Sequence, residues 1–367
     1  MITRLYLDNF RSFDNFELRP ARQQVIFGDN GTGKSSLVDA LLLIRQISIA
    51  GVPPSEFLLH SQCTRWLTRK VQTYELEAVL DGVTYLYRLV LEPLGDPPRT
   101  RIVEETLNRN GAPLFGFAGG EVRLYNDALE HHVTYPFDES RSAFATIAPR
   151  HDNQKLTRFK HWLASLFCFR VNPFAISSRA ETESLYPNVQ FDNFASWYRH
   201  LAQADQRQNF AFRNSLQEVL DEFEFLELQP FGENVRVLIA EFSSVDGPMK
   251  YLLSELSEGQ RCLICLYAIL HFLLAKGSTV IIDEPDNFIS LREIQPWLTA
   301  VSDAVIDAPA QILIVSHHPE IIDQWAPAGG IQFLRERGGP TRLKAFSGHS
   351  GDNELPPSEL IARGWIE

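Results

Sequence analysis

The most specific chemical pattern in the sequence lies at residues 28–35, Gly-Asp-Asn-Gly-Thr-Gly-Lys-Ser. It fits the P-loop pattern G-x-x-x-x-G-K-S, whose glycines let backbone N–H groups wrap phosphates at the start of a helix. Lys34 would reach the β- and γ-phosphates, and the Ser35 hydroxyl would bind Mg²⁺. The residues predicted to surround the phosphates are Gly28, Asn30, Gly31, Thr32, Gly33, Lys34, Ser35 and Ser36.

A pair of acids ends the apolar run at residues 279–285, Thr-Val-Ile-Ile-Asp-Glu-Pro. A buried strand that ends in this way places its carboxylates at the edge of a parallel sheet where ligands bind. Asp283 is therefore predicted to hold Mg²⁺ through the metal's water shell. Glu284 is predicted to polarise the water that attacks the γ-phosphate. Taken alone, the segment also fits a strand that ends in solvated acids.

Residues 256–261, Leu-Ser-Glu-Gly-Gln-Arg, precede a strongly helical run. Ser257 and the backbone N–H of Gly259, together with Gln260, would form an anion site at the helix N-terminus. An ordinary N-cap is the alternative interpretation. Gly259 precedes Asp283 by 24 residues, about one helix and a loop.

Two adjacent histidines follow the apolar run at residues 311–315. A histidine at the end of such a strand can contact the γ-phosphate, and His317 is assigned this role. His318 is expected to cap the next helix or to face solvent. A metal site at the pair lacks a supporting carboxylate or cysteine spacing.

Residue periodicity predicts the elements that hold these groups. Alternation at residues 2–7 indicates a strand, and residues 73–91 form a hairpin around Asp81-Gly82, a pair suited to a two-residue turn. Residues 95–98 and 111–120 are predicted to be loops. Helices and strands alternate again after residue 256, which suggests a parallel sheet. The predicted division is an N-terminal lobe at 1–150, a mainly helical insertion at 151–255, and a C-terminal lobe at 256–367.

Composition and charge limit the possible partners. The net charge is −12 and the pI is about 5.4, so most of the surface gains nothing from phosphate attraction, and DNA would need a local basic patch or a partner protein. Residues 155–170 hold a modest basic cluster, which a solvated amphipathic helix explains better than a DNA contact. The chain shows no secretion signal, its apolar stretch at 262–275 is too short for a bilayer, and its four cysteines are expected to be reduced, with Cys262 and Cys265 buried on one helix face. We therefore expect a cytoplasmic protein without a membrane partner.

The motifs, in this order, resemble the ABC-type ATPases, and within them the branch of RecF, SMC and OLD-like ATPases. The opening at residues 5–13, Leu-Tyr-Leu-Asp-Asn-Phe-Arg-Ser-Phe, is similar to theirs, and there an arginine in the place of Arg11 often touches the nucleotide. Residues 256–261 resemble the LSGGQ-type signature, with Glu258 where many members have glycine. The resemblance implies an α/β P-loop NTPase of the ABC type, with a mixed sheet, an antiparallel β subdomain and a helical insertion. It also implies ATP hydrolysis with Mg²⁺ by Lys34, Glu284 and His317.

The same resemblance implies a homodimer that shares two ATP sites, each formed by the P-loop of one chain and Ser257 to Gln260 of the other. No glutamine clearly matches the family's Q-loop, for which Gln154 and Gln190 are candidates. The chain ends about 50 residues after His317 without the TOPRIM nuclease domain of full OLD proteins. We therefore expect ATP-driven dimerisation to control a DNA-directed activity in anti-phage defence or repair, with an effector in trans such as a nuclease. A RecF-like DNA clamp is the first alternative and a transporter energy module a remote one.

Overall fold

The computed structural model describes residues 1–57, 59–95, 99–346 and 356–362. The chain forms two compact units. The first unit consists of Met1–Leu166 with Ala328–Ser347, and the second consists of Phe167–Pro327 with Gly348–Glu367. The two units therefore alternate along the sequence, and each consists of two segments. The predicted division at residues 150 and 255 stays a prediction.

The strands and helices are given in chain order. The strands are β1 (Ile2–Asp8), β2 (Phe16–Leu18), β3 (Gln23–Phe27), β4 (Gln72–Leu80), β5 (Val83–Leu94), β6 (Arg99–Arg109), β7 (Ala112–Ala118), β8 (Glu121–Tyr125), β9 (His131–Pro136), β10 (Leu166–Phe169), β11 (Arg179–Ala180), β12 (Phe223–Phe231), β13 (Val235–Phe242), β14 (Met249–Leu252), β15 (Thr279–Asp283), β16 (Gln311–Val315), β17 (Gly330–Leu334) and β18 (Arg342–Ala345). The α-helices are α1 (Lys34–Ser48), α2 (Leu59–Gln62), α3 (Ala143–Thr146), α4 (Gln154–Ala164), α5 (Phe194–Ala204), α6 (Gln206–Val219), α7 (Glu258–Phe272), α8 (Leu291–Asp307), α9 (Pro319–Gly329) and α10 (Pro357–Ala362). Short 3-10 helices occupy Pro54–Phe57, Leu253–Glu255 and Leu274–Lys276.

The first unit contains an eight-stranded sheet in the order β2-β1-β4-β5-β6-β7-β8-β9. The β4–β5 hairpin turns at Asp81 and Gly82, whose φ angles of 48° and 74° are the positive values that a two-residue turn of this kind needs. This confirms the predicted hairpin and the antiparallel β region. The predicted loop at 111–120 is wrong, because β7 runs through it between two glycine turns. Residues 96–98 of the other predicted loop lie outside the described residues.

Strand β3, which leads into the P-loop, belongs to a second set of strands in the first unit. β3 pairs in parallel with β17, which pairs in antiparallel with β18. All residues of β3 except Gln23 are buried, as expected for a strand covered on both faces. The predicted mixed α/β fold with an antiparallel region is confirmed.

The second unit places the acidic residues at the end of a parallel pair. β15 and β16 run parallel from Thr279 opposite Gln311 to Asp283 opposite Val315, and β10 lies on the other side of β15. Every residue of β15 and β16 is buried. The turn after each strand therefore brings its polar residues to the same sheet edge.

The region predicted to be a mainly helical insertion is mixed in structure. It contains α4, α5 and α6 but also β10 to β14, of which β11, β12, β13 and β14 form an antiparallel sheet. Residues 209–225 have apolar positions at helical spacing, but α6 ends at Val219 and β12 begins at Phe223. Pairing with β13 decides the conformation of this segment, because strand pairing can override local helix propensity.

The helix that begins at residue 258 is the core of the second unit. With the turn that follows it, Glu258–Lys276 is 19 residues long and, among the described residues, is the one segment that is long and apolar enough to cross a membrane. The apolar segment in the structure is therefore longer than the stretch predicted at residues 262–275. Because 72% of its most apolar window is buried inside the structure, core packing accounts for its composition. Cys262 and Cys265 lie buried in this helix, as predicted, and burial raises the pKa of Cys262 to about 12.

Candidate nucleotide site

The P-loop connects β3 to α1, and two of its glycines are required by the close approach of other backbone or side-chain atoms. A Cβ atom on Gly28, whose φ is 143°, would lie 2.3 Å from the Phe333 carbonyl oxygen. On Gly33, whose φ is 104°, it would lie 2.7 Å from the Ser12 hydroxyl and 2.9 Å from the Thr341 hydroxyl. Only glycine adopts these φ values without strain and fits these distances. The loop is thus fixed in a conformation suited to a phosphate cradle.

Lys34 is the first residue of α1 and is 6% exposed. Its ammonium group donates to the carbonyl oxygens of Gly28 at 2.6 Å and Asp29 at 3.0 Å. The cation therefore lies over the loop whose backbone N–H groups, with those of the first helical turn, form an anion site. Binding of the β- and γ-phosphates by Lys34 stays a prediction.

A hairpin that is distant in sequence supports the P-loop. The Thr341 hydroxyl donates to the Thr32 carbonyl at 2.6 Å and lies 2.8 Å from the Ser12 hydroxyl. Arg335 donates to the Gly31 carbonyl at 3.1 Å. The sequence analysis missed both residues, since a contact across about 300 residues leaves no local pattern.

Arg11 lies beside the first turn of α1, as the family resemblance implies. Its guanidinium forms an ion pair with Asp39 and lies 3.4 Å from the Ser36 hydroxyl. The backbone of Arg11 has a φ of 53°, and its N–H donates to the Gln62 carbonyl at 2.6 Å. The structure thus brings Arg11 and Ser36 together next to the P-loop, and a nucleotide contact by Arg11 stays a prediction.

Asp283, at the end of β15, has the environment of a cation ligand. Its side chain is 6% exposed, and one carboxylate oxygen, Oδ2, accepts from Arg170 Nε at 2.8 Å. The other oxygen, Oδ1, is buried and has no hydrogen-bond partner among the described residues. A buried carboxylate oxygen without a partner is costly, and a Mg²⁺ ion or its water shell would satisfy it. The donor set therefore fits the metal that the motif predicts.

Glu284 and His317 meet at the ends of the parallel strands. Glu284 Oε1 lies 3.4 Å from His317 Nδ1, and its Oε2 accepts from Asn287 at 2.9 Å. The Glu284 backbone has a φ of 54° and donates its N–H to the Val315 carbonyl at 2.8 Å. This unusual conformation turns the carboxylate away from the strand and towards the histidine, at the edge where a reacting water would bind.

The second histidine and its serine neighbour have structural roles. His318 Nδ1 accepts from the backbone N–H of Glu320 at 3.2 Å and so caps the start of α9, which confirms its predicted role. The buried Ser316 hydroxyl donates to Asp286 at 2.7 Å. Asp286, the third acid of the run after β15, was not singled out from the sequence. It fixes the loop that follows Glu284.

The motif at residues 257–260, called the signature motif, forms the start of α7. Ser257 and Gln260 make a reciprocal capping box, in which the serine hydroxyl accepts from the Gln260 N–H at 3.2 Å and the Gln260 side chain accepts from the Ser257 N–H at 3.0 Å. A Cβ on Gly259 would lie 2.8 Å from the Phe288 carbonyl oxygen, so a larger residue does not fit there. The capping box satisfies the N–H groups of Ser257 and Gln260, as in an ordinary N-cap, and leaves those of Glu258 and Gly259 without an intrahelical partner. An anion site at this exposed helix start stays a prediction.

The basic cluster at residues 155–170 is occupied by contacts within the protein. Lys160 donates to three carbonyl oxygens at the end of α3, and burial lowers its pKa. Lys155 donates to the Asp127 carbonyl, and Arg158 pairs with Asp81. Arg170 contacts Asp283. These contacts favour a structural role for the cluster over a DNA surface.

Comparison with known families identifies the class of protein. Residues 25–323 match the family described as "AAA domain, putative AbiEii toxin, Type IV TA system", and the chain belongs to this family. Residues 4–44 also match a family described as "AAA domain". A search of curated proteins gave no match.

Solved structures with a similar fold are heads of SMC proteins. An SMC head bound to the C-terminal winged-helix domain of ScpA has 12% identity and a TM-score of 0.58, over 94% of this chain and 98% of that one. An SMC head with an extended coiled coil, bound to the C-terminal domain of ScpA and derived from Pyrococcus furiosus, has 11% identity and a TM-score of 0.53, over 94% and 96%. The SMC head domain from Thermotoga maritima has 15% identity and a TM-score of 0.47, over 94% and 99%. The family match makes the chain an AAA-family ATPase domain, and the two SMC heads with TM-scores of 0.58 and 0.53 show that it has their α/β fold.

Proposed function

We propose that the chain binds ATP with Mg²⁺ and hydrolyses it. One observation carries this proposal: the same chain holds a P-loop with a buried lysine and a carboxylate–histidine pair at the end of parallel strands. Lys34 would bind the β- and γ-phosphates, and Glu284 would take a proton from the attacking water, with His317 orienting the γ-phosphate. Mg²⁺, held by Ser35 and Asp283, would neutralise phosphate charge.

We further propose that two copies share two ATP sites. In each site the P-loop, with Arg11, would come from one chain and the signature motif from the other. The exposed start of α7 supports this arrangement, because the capping box leaves the N–H groups of Glu258 and Gly259 without an intrahelical partner, and a phosphate brought by a second molecule could accept from them. ATP would then act as a switch that closes the dimer.

The proposed biological role is the control of a DNA-directed activity in anti-phage defence or DNA repair by a cytoplasmic protein of the OLD-like branch. The family description, which names a toxin and a type IV TA system, supports a role in defence. The two SMC heads that are bound to ScpA domains support a partner protein, here an effector such as a nuclease. DNA would be contacted directly or through this partner.

The test compares wild type with Lys34→Ala. The variant should lose ATP hydrolysis by about a hundredfold or more, because the only side-chain cation of the P-loop is removed. Lys250→Ala, which removes an exposed lysine paired with Glu227 and Glu241, is the matched control and should hydrolyse ATP at the wild-type rate.

The biological role is tested by expressing the chain with its neighbouring genes and measuring phage plating and survival of DNA damage. Wild type should protect and Lys34→Ala should not. No difference between the two folded proteins would refute the role in defence or repair. Tight DNA binding by the isolated ATP-bound dimer would instead favour a clamp that acts without a nuclease.

A further inference from the structure

The side chain that contacts the predicted metal ligand Asp283 is an arginine. Arg170 directly follows β10, the neighbour of β15, and its backbone N–H donates to the Val189 carbonyl at 2.8 Å. Its guanidinium Nε donates to Asp283 Oδ2 at 2.8 Å, while the Arg170 side chain is 34% exposed. A fixed backbone thus delivers a positive charge to a buried carboxylate.

The two oxygens of Asp283 differ in their environment. Oδ2 is bound to Arg170, and Oδ1 has no hydrogen-bond partner among the described residues. A buried carboxylate needs a counter-ion to stay ionised, and Arg170 supplies one that belongs to the protein. A metal at Oδ1 would therefore share Asp283 with a cation that is already bound.

We infer that Arg170 is a resident counter-ion that competes with Mg²⁺ for Asp283 and sets the Mg²⁺ concentration at which the nucleotide complex forms. The inference rests on the proposed function, because the metal is expected to arrive with ATP. It assigns a role in metal affinity to a position that the sequence presents only as part of a basic cluster.

Two opposing effects of Arg170 decide whether its removal strengthens or weakens the binding of Mg²⁺. A unit charge that shares a carboxylate with a divalent ion lowers the affinity for that ion by about tenfold even if water screens the pair fully. Arg170 also orients the Asp283 side chain, and fixing one side-chain torsion favours metal binding by about threefold. The repulsion is larger, so removal of the charge should strengthen metal binding.

The experiment uses Arg170→Gln, which keeps a hydrogen-bond donor and removes the charge. Mg²⁺ is titrated against the full-length chain with a fluorescent, non-hydrolysable ATP analogue, and Mn²⁺ alone is titrated by electron paramagnetic resonance. The variant should lower the Mg²⁺ midpoint by about threefold or more and bind Mn²⁺ more tightly. Arg213→Gln, which removes an arginine paired with Glu224 in the same unit, should leave both values unchanged.

Arg170→Lys keeps the positive charge but replaces the planar guanidinium group with an ammonium group, and its Mg²⁺ midpoint should stay within about twofold of wild type. If Arg170→Gln does not fold, the test rests on Arg170→Lys. A threefold or larger fall in the Mg²⁺ midpoint of Arg170→Lys, which keeps the positive charge, would refute a role of that charge. An unchanged or higher midpoint in folded Arg170→Gln also refutes the inference. If the wild-type chain binds no ATP analogue at any Mg²⁺ concentration, it is the proposed function that fails.

Discussion

Replacement of Glu284 by glutamine separates catalysis from structure at the candidate site. Glutamine has the same shape and can keep the contact with Asn287, so the positive φ of 54° and the local fold should persist. What the substitution removes is the negative charge that would accept the proton of the attacking water. The protein should therefore still bind ATP and Mg²⁺ but fail to turn them over.

The expected size of the effect distinguishes two roles for Glu284. Its side chain is 34% exposed and lies 3.4 Å from His317, which is 59% exposed, so the ion pair contributes at most about 1 kcal/mol to stability. A general base contributes about 10²- to 10⁴-fold to the rate, equivalent to about 3–5 kcal/mol of activation free energy. A fall in the rate of hydrolysis of a hundredfold or more thus indicates that Glu284 acts in catalysis. A fall below about tenfold indicates that Glu284 has a structural role alone.

The assay measures steady-state ATP hydrolysis and, separately, the affinity for ATP in the presence of Mg²⁺. Glu284→Gln should lose ATP hydrolysis and keep its affinity for ATP within about threefold of wild type. Asn287→Ala, which removes the neighbouring hydrogen bond but keeps the carboxylate, is the matched control and should lose less than about tenfold. Hydrolysis by Glu284→Gln at a rate close to that of wild type would show that Glu284 is not the base.

Three further predictions address assembly, the P-loop and pH. An equal mixture of the Lys34→Ala and Ser257→Arg proteins should recover about a quarter of wild-type hydrolysis, because about half of the dimers are heterodimers and each heterodimer keeps one of its two shared sites intact. If heterodimers form and hydrolysis does not recover, the two copies do not share their sites. Gly28→Ala should abolish binding of ATP, measured by fluorescence titration, because its Cβ would lie 2.3 Å from a backbone carbonyl. Gly116→Ala in β7, where the added Cβ would meet nothing within 4 Å and the backbone φ is not positive, should retain binding, and equal losses would refute the steric explanation. Burial lowers the pKa of His271 to about 4, so the unfolded state gains a proton below pH 6.5 that the folded state does not. The free energy of unfolding, from urea titration, should fall by about 1 kcal/mol from pH 7.5 to 5 after allowance for partial exposure, and His271→Gln should lack that fall.

Local patterns in the sequence were sufficient for the parts of the site that depend on neighbouring residues. The P-loop between β3 and α1, the acids after β15 and the cap made by His318 each follow from a few consecutive residues. In each case the chemical requirement and the local backbone conformation point to the same residues.

Features that depend on pairing between distant segments could not be predicted in this way. Strand β7 was missed because the glycines on either side suggested a loop, although Asn110-Gly111 and Gly119-Gly120 are also signals for hairpin turns. The contact of Arg170 with Asp283 spans 113 residues and needs β10 to lie next to β15. Composition and periodicity do not indicate which strands become neighbours when the strands are far apart in the sequence.

The hairpin of β17 and β18 has a consequence for the order in which the protein folds during synthesis. β3 has β17 as its parallel partner, and Thr341 holds the carbonyl of Thr32 in the P-loop. These contacts become possible only after the segment at residues 330–345 has left the ribosome, about 300 residues later than the P-loop, and parallel pairing across such a distance is slow. Until then the P-loop lacks the contacts that fix its shape. A nascent chain would thus emerge with its P-loop unformed and would gain the final shape of that loop only when the β17–β18 hairpin has been made.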